Sequence, residues 1–132
     1  MKKHFLFFIL FGLFSTAYSL NSISKTSNKI INTWTWEKSI GSTNNPYTST
    51  PKTVGYHKKV AFTSEGKIII YKNNIEIRNS TYEIKKGIGI IDNLEHDLIT
   101  FEGTTYVIEN LDNQNLTIVV NEINGAKSIY KR

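Results

Sequence analysis

Apolar and polar residues alternate in short segments along most of this chain. In Trp34-Thr35-Trp36 and Val60-Ala61-Phe62 the large side chains stand two residues apart. Successive side chains of a β-strand point to opposite faces, so this spacing places the large side chains on one face. Turn-forming Gly, Asn, Asp and Pro separate the segments about every eight to twelve residues, and no helical period follows the first 19 residues. The pattern predicts an all-β chain of about eight strands.

Eight stretches of the chain fit this strand pattern. They cover residues 30–40, 57–63, 67–72, 75–84, 98–101, 105–110, 116–121 and 127–132. Residues 85–91 fit either a continuation of the fourth strand or a further short strand. Asn73-Asn74 and Asn124-Gly125 predict hairpin turns, because Asn and Gly tolerate positive φ. The apolar residues of the fourth strand change parity along its length, which predicts a β-bulge near Asn79-Ser80.

The first predicted strand carries both tryptophans of the chain, Trp34 and Trp36. Each ring buries roughly 150–250 Å², which stabilises a fold by at most about 4–6 kcal/mol. We therefore expect this strand to anchor the core. Residues 20–29 before it are rich in Ser and Asn and predict a flexible lead-in. Residues 41–55 after it predict a long irregular loop.

The chain begins with the pattern of a secretory signal peptide, predicted as Met1–Ser19. Two lysines precede an apolar run over residues 5–14, and small residues stand at Ala17 and Ser19. A helix of ten residues spans about 15 Å, against about 30 Å of hydrocarbon, so a membrane anchor is the weaker interpretation. We expect cleavage before Leu20. The remaining residues 20–132 have the length of one domain.

Composition narrows the compartment and the partners. The formal charge of +5 falls to +3 once the leader is removed, because Lys2 and Lys3 belong to the leader. Such mild basicity favours solubility and predicts no nucleic-acid partner. The chain has no cysteine, so neither disulfides nor a lipid anchor on a thiol are expected. The sequence predicts a secreted or periplasmic monomer with no integral membrane segment after processing.

The residues that carry catalytic chemistry are sparse. Only His57 and His96 remain after processing, and His96 lies in an acidic turn typical of a solvated loop. No zinc-ligand spacing, Gly-x-Ser-x-Gly elbow, phosphate loop or dinucleotide fingerprint occurs. We therefore expect no cofactor, no metal and no enzymatic activity. Tyr56-His57-Lys58-Lys59 with Lys85-Lys86 and Lys131-Arg132 fits a basic aromatic binding surface, but ordinary strand alternation with outward lysines is the stronger interpretation.

Eight short strands predict an antiparallel up-and-down β-barrel, with a two-sheet sandwich as the alternative. Barrel closure brings the last strand beside the tryptophan strand. The order of several motifs resembles the lipocalin-like (calycin-type) family in its small bacterial exported form. Residues 32–36 resemble its Gly-x-Trp strand, residues 50–56 its first loop, residues 62–67 its second hairpin and residues 130–132 its last strand. Asn32 replaces the family's Gly, and the lipidation cysteine of many relatives is missing.

The resemblance implies a barrel with one open end that binds a small apolar ligand. Trp34 and Arg132 are the expected structural anchors, with the basic residue near the first-strand Trp. The expected ligand contacts inside the barrel and at its rim are Trp36, Tyr47, Tyr56, Phe62, Ile70, Tyr82 and Tyr106. These side chains are large, so an interior filled by the protein itself stays open as an alternative. A second hypothesis is a protein-interaction module that uses the long first loop.

Overall fold

The computed structural model describes residues 23, 25–42 and 44–132. The predicted leader Met1–Ser19 lies outside the described residues. Two short helices are described, α1 (residues 25–30) and α2 (Pro51–Val54). The nine described strands are β1 (Thr33–Ile40), β2 (Thr48–Ser49), β3 (Lys58–Phe62), β4 (Lys67–Lys72), β5 (Ile75–Ile88), β6 (Glu95–Phe101), β7 (Thr104–Leu111), β8 (Asn115–Val120) and β9 (Lys127–Lys131).

The strands form one antiparallel sheet that closes into a barrel. Their order is β2-β1-β3-β4-β5-β6-β7-β8-β9, and β1 also pairs with β9, with Trp36 opposite Tyr130. Strands β1 and β3–β9 are the eight barrel strands, and β2 only extends the sheet beside the end of β1. The predicted all-β, up-and-down barrel is confirmed, and so is the pairing of the last strand with the tryptophan strand. The sandwich alternative is wrong.

The turn residues explain most of the connections. Asn73 and Asn74 form the predicted two-residue hairpin turn with φ of 51° and 64°, the left-handed values that such turns require. Asn124 also has a positive φ, of 63°. The β8–β9 connection is longer than the dipeptide implied, because the ladder closes between the Val120 amide and the Ala126 carbonyl.

Two expectations about β5 are settled. Residues 85–88 continue the strand, since Gly87 pairs with His96 on β6. The bulge exists but lies near Ile77 and not at Asn79-Ser80, because the β4–β5 register shifts between Ile70 and Tyr71. The two-residue turn fixes the register at the tip, so the extra residue is absorbed close to it.

Two segments predicted as irregular contain regular structure. Residues 25–30 are helical and Ile30 has no exposed surface, so a flexible lead-in is wrong for residues 25–29, and Ile30 belongs to this helix and not to the first strand. The predicted long loop contains β2 and α2. Helix α2 begins with a capping box in which Thr50 and Thr53 bond reciprocally, and it ends at Gly55 with φ of 82°. Local capping therefore orders polar residues that show no apolar period.

The core lies inside the barrel and follows the predicted inward parity. Alternate residues of each strand point inward, as in Val60 and Phe62 on β3 and in Ile68 and Ile70 on β4. The buried cluster contains Ile30, Trp34, Trp36, Val60, Phe62, Ile68, Ile70, Ile99, Leu116, Ile118 and Tyr130. The middle of the barrel is thus filled by side chains, which places any ligand site toward an end.

Candidate functional site

The end of the barrel covered by α1 is called the closed end here. The indole nitrogen of Trp34 donates to the carbonyl of Ile30 over 2.9 Å, and both residues are fully buried. Thr26 in α1 donates to Asp97 on β6, and Lys86 on β5 forms an ion pair with Asp97 over 2.6 Å. The helix therefore joins the barrel through a buried hydrogen bond at Ile30 and a half-buried polar contact at Thr26.

Four aromatic side chains pack next to this buried layer. Phe62 meets the edge of Tyr82 with ring centroids 5.0 Å apart, and Phe101 stacks on Tyr106 at 4.8 Å. The hydroxyl of Tyr82 donates to the carbonyl of Thr63 over 2.9 Å. Burial raises the pKa of the Tyr82 and Tyr106 hydroxyls above the ordinary tyrosine value. These rings occupy interior volume and are held by neighbours, which suits packing.

The opposite end, where β3 begins and β4 turns into β5, is called the open rim. Its aromatic wall is formed by Trp36 and Tyr56, whose rings are stacked with centroids 6.4 Å apart. The indole nitrogen of Trp36 donates to the hydroxyl of Ser39. The ammonium group of Lys72 lies 4.7 Å from the centroid of the Tyr56 ring, within the range of a cation–π interaction.

Lys58 brings a positive charge into the apolar mouth of the barrel. It is the first residue of β3 and shares the inward parity of Val60 and Phe62. Its ammonium nitrogen lies 5.9 Å from the centroid of Tyr130, a buried ring. Burial lowers the pKa of Lys58, and the positive charge of Arg78 lowers it further. A charge in this position is poorly solvated and favours a nearby anion.

Arg78 completes the polar side of the open rim. Its Nε forms an ion pair with Glu102 over 2.9 Å, so one carboxylate faces several cations. A cleft of about 240 Å³ opens among these groups, and it is lined by Tyr56, Lys58, Ile70, Tyr71, Lys72, Ile77 and Arg78. The cleft combines an apolar wall with three cationic side chains. This arrangement can hold a small anion that carries an apolar group.

The predicted ligand contacts fall into three groups. Tyr56 and Ile70 line the rim cleft, and Trp36 supports Tyr56 from behind. The other three interior residues belong to the packed aromatic cluster of Phe62, Tyr82, Phe101 and Tyr106. Tyr47 lies apart from both, in the first loop, with 59% of its surface exposed.

The predicted anchors occupy opposite surfaces of the barrel wall. Trp34 is fully buried beneath α1. Arg132 is exposed, and its guanidinium donates to the carbonyl of Asn113 in the β7–β8 turn over 3.4 Å. The neighbouring Lys131 forms an ion pair with Glu37 over 3.5 Å. The basic end of β9 thus meets polar groups on the outer surface.

Sequence reasoning missed the charged residues that gather at the rim. The prediction of outward lysines is wrong for Lys58, which stands two residues before the inward Val60. That parity is the signal that places its side chain inward. Arg78 and Glu102 gave no such signal, because the bulge near Ile77 resets the parity of β5 and Glu102 lies in a turn.

The two histidines stand on different parts of the surface. His57 lies at the start of β3, where its amide donates to the side chain of Asn73. His96 lies on β6, with Nε2 2.7 Å from a carboxylate oxygen of Asp92. The amide of Leu94 and then His96 hold the pKa of Asp92 below its usual value. The described residues contain no group of three or more His, Cys, Asp or Glu side chains arranged to hold a metal ion.

Comparison of the chain with protein-family models, with curated proteins and with solved structures finds no match. Among the described residues, no helix has both the length and the apolar character needed to span a membrane.

Proposed function

We propose that this chain is an exported, non-catalytic, lipocalin-like barrel that binds a small amphiphilic anion at its open rim. The observation that carries the proposal is the rim cleft, where Lys58, Lys72 and Arg78 surround an apolar wall. An anionic group pairs with the cations, and the apolar part of the ligand packs on Ile70 and Tyr56. Ligand pockets generally combine an apolar lining with a few polar groups in this way.

Charge and size define the ligand further. Glu102 is bonded to Arg78, which leaves Lys58 and Lys72 facing the cleft mainly against aromatic rings. The cleft volume of about 240 Å³ lies below the range of about 300–1,000 Å³ typical of drug-sized ligands. The filled interior supplies no deeper continuation among the described residues. The ligand is therefore a small molecule, or a larger one of which only the charged end enters.

A matched pair of fluorescent probes tests the charge preference. Anilinonaphthalene sulfonate and N-phenylnaphthylamine share the same aromatic body, and only the first carries an anionic sulfonate. We expect the sulfonate to bind more tightly, and Lys58→Met to weaken its binding about tenfold, the value of one charge-assisted contact. Binding of the neutral probe should stay within about twofold, the scatter of ordinary surface changes.

Lys59→Met is the matched control for this experiment. It removes the same charge from the adjacent residue of β3, whose side chain has the opposite parity. Equal weakening by both substitutions would show that overall charge, and not the rim cleft, attracts the sulfonate. Equal affinity of wild-type protein for the two probes would remove the anion preference altogether.

Export is the second part of the proposal and rests on the leader pattern of Met1–Ser19. We expect the mature protein to begin at Leu20 and to be found outside the cytoplasm of its host. Intact mass measurement of protein recovered from the host envelope and medium checks the cleavage site. Recovery of the full-length chain in the cytoplasmic fraction alone would contradict export.

The first loop offers a second candidate function. Its residues Tyr47 and Val54 expose 59% and 38% of their surfaces, which fits a contact with another protein. Residues 44–55 carry β2 and α2, so the loop presents these side chains in a defined conformation. Replacing Tyr47 and Val54 by Ser should reduce recovery of a partner from envelope extract while leaving probe binding at the rim unchanged.

A further inference from the structure

One half of β5 is bonded to the sheet along a single edge. Ile75–Thr81 pair with β4, whereas the pairing of β5 with β6 begins only at Tyr82. Within the described part of the chain, this stretch and the other half of β5, Tyr82–Ile88, are the two longest that have a ladder partner on one side only. Its other edge therefore carries backbone donors and acceptors that no neighbouring strand satisfies.

The direction of the free groups follows from one hydrogen bond. The amide of Tyr82 donates to the carbonyl of Gly66, next to β4. Because alternate residues of a strand direct their amides to opposite edges, the amides of Thr81 and Asn79 face away from β4. The ion pair between Arg78 and Glu102 is the contact that crosses this gap, and it uses side chains.

The edge is apolar at its tip, whereas the stretch from Arg78 to Thr81 is polar. Ile75 and Ile77 expose 68% and 46% of their surfaces. Natural proteins usually cover a free edge or place charges or proline on it, because exposed apolar edges recruit other strands. The bulge near Ile77 twists the tip of the edge, but the regular stretch from Arg78 to Thr81 remains available for pairing.

The chemistry of the edge specifies its occupant. Alternating free amides and carbonyls are matched by one kind of molecule, an extended polypeptide. Charge adds a second criterion, because cations outnumber carboxylates here: Glu102 adds one carboxylate across the gap, and the hairpin of β4 and the paired half of β5 carries three cations and one carboxylate. These are Lys67, Lys72, Arg78 and Glu76. An acidic strand complements this surface better than a neutral or basic one.

We propose that an acidic extended segment of another protein binds this chain by adding as a strand to β5 along Ile75–Thr81. The inference goes beyond the small-molecule site: Lys72, Ile77 and Arg78 also line the rim cleft, but the free backbone edge exists whether or not the cleft is occupied. Backbone hydrogen bonds supply the affinity, Ile75 and Ile77 provide apolar contact, and the lysines select acidic residues.

The test uses a fluorescein-labelled, end-capped peptide of alternating glutamate and valine. We expect saturable binding that weakens as salt is raised, and a peptide with lysine in place of glutamate to bind at least about tenfold more weakly. A version N-methylated at every residue keeps the side chains but loses its backbone donors, and it should lose binding. Equal binding of the methylated peptide would overturn strand addition.

Hydrogen exchange locates the added strand. On peptide binding the amides of Asn79 and Thr81 should gain protection of at least about tenfold, while the amide of Ser80, which already faces β4, should change little. Protection confined to the rim residues Tyr56 and Lys58 would instead show that the peptide occupies the small-molecule cleft. That outcome would overturn the proposal.

Asn79→Pro provides the matching variant, because proline removes an amide that faces the free edge and is tolerated at such positions. We expect it to lose peptide binding at least about tenfold while the sulfonate probe still binds at the rim. Asn79→Ala, which keeps the amide, should bind the peptide normally. If Asn79→Pro does not fold, the exchange pattern of the wild-type protein decides the question. Concentration-dependent dimers protected at the same amides, without peptide binding, would assign the edge to a second copy and overturn the proposal.

Discussion

The two ends of the barrel are built from the same strands but differ in the side chains that they hold. At the closed end, Trp34 and Ile30 are fully buried and joined by a hydrogen bond. At the open rim, Lys58 and Lys72 lie over the rings of Tyr130 and Tyr56. The closed end stabilises the fold by apolar burial, whereas the rim holds one partly buried charge, that of Lys58, and the exposed charge of Lys72. Apolar burial and partly buried charge are therefore separated along the barrel axis.

Strand β3 shows how short that separation is. Its inward residues are Lys58, Val60 and Phe62 in order, so a single strand of five residues passes from the charged rim to the apolar core. The same parity that fills the middle of the barrel with Val60 and Phe62 directs Lys58 inward. Changes at the two ends should therefore have different consequences.

The largest expected effect is loss of the closed-end anchor. Trp34→Ala should lower the free energy of unfolding by about 3–5 kcal/mol, as for other buried Trp truncations. The cause is the lost ring together with the Ile30 carbonyl left without its donor. Urea unfolding measures this change. A loss below about 1 kcal/mol, the scale of ordinary substitutions, would show that the closed end does not anchor the fold.

Trp36→Ala sharpens the comparison because Trp36 is also buried but supports the rim. It should destabilise the protein and also weaken binding of the sulfonate probe, since Tyr56 loses its stacking partner. Trp34→Phe is the matched control, because it keeps an aromatic ring at the closed end and should leave probe binding unchanged. Weaker probe binding in both variants would mean that the ends are not independent.

Alkaline pH should act on the buried tyrosines. Burial raises the pKa of Tyr130 far above its ordinary value, and the Tyr106 hydroxyl raises it further. Because the pKa is raised in the folded state, the protonated hydroxyl stabilises the fold fully below the unfolded pKa of about 10. This contribution is lost as pH rises above that value. We expect the free energy of unfolding to fall above about pH 10 and Tyr130 to ionise only as the protein unfolds. Tyr130→Phe should lessen this pH dependence, which absorbance at 295 nm and urea titrations at several pH values measure.

Lys58→Met should raise the free energy of unfolding, whereas Trp34→Ala at the closed end should lower it. The substitution removes an ammonium group whose pKa is lowered mainly by burial. The variant should therefore be more stable than the wild type by about 1 kcal/mol at pH 7. Because the neutral lysine is favoured in the folded state, this difference should shrink as pH rises toward about 10. Thermal unfolding at two pH values measures it. A less stable variant would show that the Lys58 contact with Tyr130 outweighs the cost of burial.

The smallest expected effect lies outside both ends, in the β5–β6 loop. Asp92 accepts a hydrogen bond from the amide of Leu94 and contacts His96. Because its pKa is lowered in the folded state, the ionised carboxylate stabilises the fold at pH values above the unfolded pKa of about 3.9. This contribution should be lost as pH falls through the folded pKa. We expect Asp92→Asn to speed hydrogen exchange at Leu94 without changing probe binding. Unchanged exchange would show that the contact does not order the loop.

The sequence by itself determined most strands and most inward-facing residues, and it favoured a barrel over a sandwich; closure was decided by the pairing of β1 with β9. Alternation at Val60 and Phe62, the Asn73-Asn74 turn and the paired tryptophans each specify a local geometry that packing reinforces. Their inward parity needs no long-range information, because the period of a strand is fixed by the backbone. The same period directs Lys58 inward, although its side chain is charged.

Only the tertiary structure decided which residues meet at the rim and where the sheet is left open. Arg78 and Glu102 stand 24 positions apart, and the bulge near Ile77 places them together. The free edge of Ile75–Thr81 arises because β6 begins its pairing only at Tyr82. Helix α1 forms in a polar segment because Ile30 is buried against the barrel. Each of these features depends on register and closure between distant strands, which local periodicity does not encode.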